Sequence, residues 1–251
     1  MTTEAPNRPR YRQPDPKYMT FIEHLGELRK RLTVCIVAIA LGSVVGWFLA
    51  GHVIQILDTP LCQHLPKNQC KLVVDNIYGG FTLNLKIAVM LGFMFALPVT
   101  LYEVWAFVAP AFGPGANRWA PIWLASALGL FVAGAATGFY VIPLAITFFT
   151  KFQGPHVEIL AFASQYIGFV ALILVVFGVS FELPLVLVSL TTAGITSSRW
   201  LASKRVYGFF IIFAFATIVT PGADWISPLI LGGILYVLFE ASILISRLLG
   251  K

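Results

Sequence analysis

The apolar runs are what most constrain this chain. Six segments read as spans: Leu32 to about Ala50, Gly79 to Ala109, Trp119 to Phe149, about Gln165 to Leu190, Val206 to Val219 and Trp225 to about Ser246. A run of about 20 apolar residues, wound as a helix, crosses a hydrocarbon core about 30 Å thick. The chain is 58% hydrophobic and only 11% charged, against about 25% charged for a soluble domain. A water-soluble globular protein of 251 residues cannot hide that much apolar side chain. Disorder requires the opposite composition. The strict alternation of an outer-membrane barrel is absent, so the spans are helices. The expected fold is an all-α integral membrane protein with six transmembrane helices.

Charge orients it. With the N-terminus inside, Arg8, Arg10, Arg12, Lys17, Arg29, Lys30, Arg31, Arg118, Arg199, Lys204, Arg205, Arg247 and Lys251 fall on the cytoplasmic side. Only Lys67, Lys71 and Lys151 fall outside, and Lys86 lies within a span. Thirteen against three predicts both termini in the cytoplasm. The net charge of +6 therefore speaks to orientation and not to nucleic acid. Residues 1–18 read as a disordered basic tail without a cleavable signal, 19–247 as the membrane domain and 248–251 as a cytoplasmic end.

The fifth and sixth segments are expected to be short. Val206–Val219 has fourteen residues, roughly 21 Å of helix. The clean run of the sixth, Leu229–Phe239, stops at Glu240. A helix that short is shielded by neighbours or thins the bilayer.

The spans lack catalytic constellations. His24, His52, His64 and His156 and the aspartates Asp15, Asp58, Asp75 and Asp224 all fall outside them. Metalloprotease, serine-protease and paired-aspartate sites cannot be assembled, and no phosphate-binding glycine motif is present. The chain is not expected to be an enzyme or to carry a cofactor or metal. The ionisable residues in or near the bilayer are Lys86, Glu103, Glu182 and Glu240. Lys86 and Glu240 sit near span ends, where snorkelling accounts for them. Glu182, in Phe181-Glu182-Leu183-Pro184, lies sixteen residues into its span. There a carboxylate must be neutral, paired or facing a wet cavity. It is an intramembrane polar site or a hydrogen bond to another helix, and Pro184 suits a kink beside it.

Cys62 and Cys70 share the first outer loop and are candidates for a disulfide if that loop faces an oxidising compartment. A metal site with His52 or His64 is the less favoured alternative. Gly134 and Gly138 form a GxxxG helix-packing pattern.

The most specific stretch is Met19 to Leu32. Thr20 and Glu23 make a capping box that starts a helix. Phe21, Leu25, Leu28 and Leu32 share one face, Glu23, Glu27 and Lys30 the other, and Glu27 can pair with Arg31. This is an interfacial amphipathic helix or an acidic receptor patch. Its His24-Leu25-x-Glu27-Leu28-Arg29-x-Arg31-Leu32 resembles the N-terminal signature of the TatC family, the multi-span receptor component of the twin-arginine protein translocase. Thr59-Pro60-Leu61, Pro98, Leu101 to Pro110, Phe177 to Pro184, Gly194-Ile195-Thr196 and Thr220-Pro221 resemble the family in the same order.

The resemblance implies a curved, cup-like bundle in a bacterial plasma membrane. It implies binding of twin-arginine signal peptides, partnership with TatA- and TatB-like single-span subunits in a larger, homo-oligomeric complex, and transport of folded proteins driven by the proton-motive force. It points to Glu27, Glu23, Arg29, Glu103 and Phe107 for the signal peptide, Glu182 for a polar contact on the concave side, and Pro60, Lys86, Thr220 and Pro221 for structural or partner contacts. One position departs from the family: Ala116 stands where the first loop commonly carries an acid. Glu103 is its candidate substitute, against a plain packing role. The alternative function is a proton-coupled solute transporter using Glu182, which the absence of an internal repeat disfavours.

Overall fold

The computed structural model describes residues 21–57, 72–113, 115–150, 161–220 and 226–250. Thr20, Pro60, Pro221 and the candidate disulfide pair Cys62 and Cys70 lie outside the described residues. The helices are α1 (Phe21–Leu57), α2 (Gly79–Val108), α3 (Ala120–Thr150), α4 (Ala163–Phe181), α5 (Leu183–Thr192), α6 (Ser198–Ser203), α7 (Arg205–Val219) and α8 (Ile226–Leu248). Two short 3₁₀ turns, Ala109–Phe112 and Ala116–Trp119, join α2 to α3. Two unexpected two-residue strands, β1 (Leu72–Val73) and β2 (Ala161–Phe162), pair in parallel with Leu72 opposite Ala161.

Among the described residues, five helical stretches are long and apolar enough to cross a membrane, and Arg205–Val219 is a sixth, shorter apolar helix. The motif at 21–31 and the first apolar segment form one helix of 37 residues. At about 1.5 Å per residue it is about 55 Å long, so it extends well beyond a hydrocarbon core of about 30 Å. The expected span over 165–190 is broken at Glu182, whose N–H donates to Val179 O at 3.1 Å. Pro184 supplies the reason: it has no N–H to give, and its ring crowds the carbonyl four residues back. The sixth segment corrects an expectation. α8 has 23 residues and runs through Glu240, so of the fifth and sixth apolar segments only the fifth, α7 with 15, is short.

Contacts sort the helix ends into two sets. At one end, Arg31 near the start of α1 bonds Glu103 late in α2, and Trp105 of α2 stacks near Trp123 early in α3. Trp123 Nε1 donates to Ser189 Oγ of α5, and Thr191 meets Ser246 of α8 at 3.0 Å. Arg205 at the start of α7 bonds Glu240 of α8. At the other end, the Tyr166 hydroxyl donates to the last carbonyl of α1, Leu57 O, at 2.7 Å, and Lys86 of α2 reaches Ser164 of α4. Successive apolar segments thus alternate in direction.

The core lies between α2, α3 and α4, where Ile87, Phe131, Ile142, Ile167 and Val170 are buried. Outward faces carry exposed apolar side chains such as Leu41, Val44 and Phe48 on α1 and Phe210, Ile211 and Ile218 on α7. That distribution suits a lipid surround, because apolar side chains there cost nothing. Among the described residues, glycines bring two helix pairs together backbone to backbone. The GxxxG pair works as expected: a Cβ on Gly134 would press on the Phe177 carbonyl, and one on Gly138 would lie 3.1 Å from the Phe177 Cβ. The α1–α2 contact was not anticipated; there a Cβ on Gly42 would lie 2.8 Å from Gly92 O, and one on Gly92 would strike Ser43 Oγ and lie 2.7 Å from Ile39 O.

Alanine ordinarily favours a helix over glycine by about 1 kcal/mol. Gly92→Ala is nevertheless expected to destabilise the detergent-solubilised protein by about 1–3 kcal/mol, the usual cost of overpacking. Gly80→Ala, with open space around the new methyl group, should be neutral or stabilising. Thermal melts of the two variants, followed by circular dichroism, check this; equal melting temperatures would show that α1 and α2 are not held by close backbone approach.

Candidate functional site

Of the polar face of the N-terminal motif only Glu27 turns inward, while Glu23, Lys30 and the apolar face are exposed. Leu25, Leu28 and Leu32 are exposed, whereas the Glu27 side chain is only 20% exposed. The Arg31 guanidinium lies between two carboxylates. Its Nε donates to Glu27 Oε1 at 3.0 Å, Nη2 donates to the same oxygen, and Nη1 donates to Glu103 Oε2 at 2.8 Å. The planar fork of arginine suits this sharing, because its N–H groups leave in different directions in one plane. The second Glu27 oxygen accepts no hydrogen bond and lies 3.8 Å from His24 Nδ1. His24 stacks on Phe107 with centroids 4.3 Å apart and planes 15° from parallel. Glu27, Glu103 and Phe107, all expected at the site, are therefore brought together.

Glu103 is a helical residue of α2, not part of the loop. The loop has its own anchor. Trp105, Ala109 and Ala116 are buried together, with Phe112, Ala120 and Trp123 packed around them. Position 116 suits a small apolar residue here. Ala116 is 7% exposed beneath an aromatic cluster, where an unpaired carboxylate would be desolvated. Gly113 and Gly115, at φ of 77° and 95°, let the chain turn tightly enough to bring Ala116 there.

The remaining expected residues are dispersed. Glu23 and Arg29 are exposed on α1. Lys86 does not snorkel freely: its Nζ donates to Ser164 O at 3.1 Å and Ser164 Oγ at 2.6 Å, tying α2 to α4. Glu240 is likewise paired, since Arg205 Nε and Nη2 each donate to one of its oxygens at 2.7 Å. Thr220 closes α7, its hydroxyl donating to Ala216 O at 2.7 Å. Glu182 is half-buried at the α4–α5 break, away from the acid pair, and its Oε1 and the nearby Ser180 Oγ are buried without a hydrogen-bond partner. Among the described residues no group of three His, Cys, Asp or Glu is placed to hold a metal ion.

Three participants were missed: Arg31 as the shared cation, His24 as the ring beneath Phe107, and Arg205 as the partner of Glu240. The Glu27–Arg31 spacing was visible on a helix, but Glu103 lies 72 positions away and Glu240 lies 35 from Arg205, so no local signal joined them.

These features define a class, a helical membrane protein with a guanidinium-binding acid pair at one end of the bundle and no catalytic constellation among the described residues. Comparison with known proteins gives the family. Residues 23–233 match the model of the Sec-independent protein translocase protein TatC. The chain is 34% identical over 234 residues to the Sec-independent protein translocase protein TatC of Carboxydothermus hydrogenoformans, covering 93% of this chain and 95% of that one. It is also 34% identical over 227 residues to the protein of that name from Escherichia coli K12, covering 90% and 87%. A crystal structure of a twin arginine translocase receptor TatC superposes with a TM-score of 0.79 at 32% identity, covering 91% of this chain and all of that one. The chain belongs to the TatC family of protein translocase components, whose members are named for transport.

Removing Arg31 alone leaves two carboxylates facing one another. Arg31→Met is expected to destabilise the protein by about 2–3 kcal/mol, the scale of a charge-assisted bond lost with its acceptors stranded. The triple variant Glu27→Gln, Arg31→Met, Glu103→Gln should recover most of that loss. Denaturant or thermal unfolding of the three proteins measures it, and a triple variant no more stable than Arg31→Met would mean the cluster is not electrostatically coupled.

Proposed function

We propose that this chain is the core subunit of a bacterial twin-arginine translocase, which binds twin-arginine signal peptides at its cytoplasmic face. The observation that carries this reading is the Arg31 guanidinium held between Glu27 and Glu103. Two carboxylates that converge on one guanidinium form a site whose geometry selects that group over an ammonium. All three side chains remain partly exposed, between 16% and 23%, so an incoming arginine can reach them. A peptide guanidinium binds by exchanging with Arg31, or by opening the pair to reach the buried, unbonded oxygen of Glu27. Glu23, Arg29 and Phe107, on the same two helices, supply the rim of that surface.

The alternating helix directions and the charge bias support six crossings with both termini in the cytoplasm, in the bacterial plasma membrane. The 15-residue α7, about 22 Å long, makes one side shallow. TatA- and TatB-like single-span subunits dock there and at Glu182, whose unpartnered carboxyl oxygen suits a polar contact from a peptide or partner helix. Transport of folded cargo through the assembly draws on the proton-motive force, with local bilayer thinning beside α7 as the protein's contribution. The solute-transporter alternative gains nothing here, since the family match is to protein translocase components.

Binding of a fluorescent twin-arginine signal peptide to the full chain in nanodiscs tests the receptor surface. Glu27→Gln and Glu103→Gln should each weaken it by roughly tenfold, one charge-assisted hydrogen bond apiece. Unchanged affinity in Glu103→Gln would remove Glu103 from the site. Lengthening α7 by one turn should lower transport in membrane vesicles while leaving peptide affinity intact. Undiminished transport would discard thinning.

A further inference from the structure

A second charged site lies at the same end of the bundle, away from the Glu27–Glu103 pair. α5 and α8 finish side by side there, pinned by the buried contact of Thr191 with Ser246. Beyond Thr192 the chain turns through Gly194, at φ of 78°, to Ser197, whose hydroxyl accepts the Trp200 N–H at 3.2 Å and starts α6. Beyond Leu248 the end of α8 turns through Gly250, at φ of 70°, with its N–H on Arg247 O at 2.9 Å. Between these turns opens a cleft of about 700 Å³ lined by Ser197, Ser198, Arg199, Arg247 and Gly250.

The cleft is electrostatically incomplete. Two guanidiniums line it, and neither is in an ion pair among the described residues. No described carboxylate lines it either. Glu240, seven residues before Arg247 on α8, is hydrogen-bonded at both oxygens by Arg205 and acts on Arg247 only as a more distant charge, the weakest of its named interactions. Two like charges gathered around one cavity repel, and an anion between them reverses the sign of that interaction. The flanks are apolar: Ile195, Trp200, Leu248 and Leu249 are all more than half exposed. The apolar stretch Pro228–Leu248 ends at this level, so the cleft opens where hydrocarbon gives way to headgroups. Guanidinium forks match phosphate oxygens, hydroxyls add donors, and basic pockets between membrane helices take anionic headgroups.

We propose that this cleft binds the phosphate of an anionic phospholipid headgroup, gripped by Arg199 and Arg247, with the acyl chains lying along Trp200 and Leu248. The lipid would brace the turn that leads into α7 against the end of α8. The idea does not depend on signal-peptide binding.

The test is native mass spectrometry of the full chain, delipidated in detergent and titrated with phosphatidylglycerol or phosphatidylcholine, with inorganic phosphate in a parallel melting series. The wild-type protein should retain phosphatidylglycerol in preference to phosphatidylcholine. Arg199→Gln combined with Arg247→Gln should cut that retention by about tenfold or more, the loss of two charge-assisted contacts. Arg118→Gln, which removes an arginine of the same helical end that lies over Trp119, should leave it unchanged. Should the double variant fail to fold, the exposed Arg199→Gln alone carries the comparison, with a loss of several-fold expected. Equal retention of the two lipids, or retention unaffected by the arginine substitutions, overturns the proposal. Stabilisation by inorganic phosphate without any lipid preference also overturns it, by assigning the cleft to a free anion.

Discussion

The structure depends on pairing the carboxylates that approach the hydrocarbon. A lone carboxylate there is costly, and two cations and three carboxylates resolve it at one end of the bundle. Arg31 joins α1 to α2 through Glu27 and Glu103, and Arg205 joins α7 to α8 through Glu240. These pairs link the start of a helix to the far part of its neighbour, so each fixes the register of an antiparallel pair. Glu182 is the exception: its Oε1 is buried without a partner, at a break in the helix.

The second constraint is backbone proximity. In lipid, apolar side chains gain little by leaving their surroundings, so helices associate through close van der Waals fit. Gly92 against Ser43 and Gly134 against Phe177 provide it for the α1–α2 and α3–α4 pairs. The charged pairs then act on helices already in contact, and α1, which packs chiefly on α2, can present Glu27 to Glu103 across a short gap. At the same end, the Trp105 cluster holds the loop down over Ala116. Ala116 thus lies under a packed loop, and Glu103 faces Arg31 from α2.

Much of this was legible from the sequence, for reasons that also mark its limit. Hydropathy located the apolar segments because lipid demands continuous apolar surface, and the GxxxG of Gly134 and Gly138 was readable as a local pattern. The motif at 19–32 announced both a helix and its acidic face. What sequence alone could not show were pairings between distant positions: Arg31 with Glu103, Arg205 with Glu240, Gly42 with Gly92. The misjudged length of α8 has the same origin. Glu240 looks like the end of an apolar run, yet a carboxylate met at both oxygens by a guanidinium no longer stops a helix. Direction was ambiguous in the same way, since an amphipathic pattern says that two faces differ but not which one meets protein.

The proposed signal-peptide site, an acid pair that selects guanidinium, makes a chemical demand on its ligand. The most direct measurement is site-specific photocrosslinking from positions 27 and 103 to a precursor carrying either two consecutive arginines or two lysines in their place. Crosslinks from both positions to the arginine precursor, lost with lysines, are expected, because an ammonium cannot bridge two carboxylates as a guanidinium does. Crosslinks from neither position, or equal crosslinks to both precursors, would contradict the assignment of this cluster as the signal-peptide site.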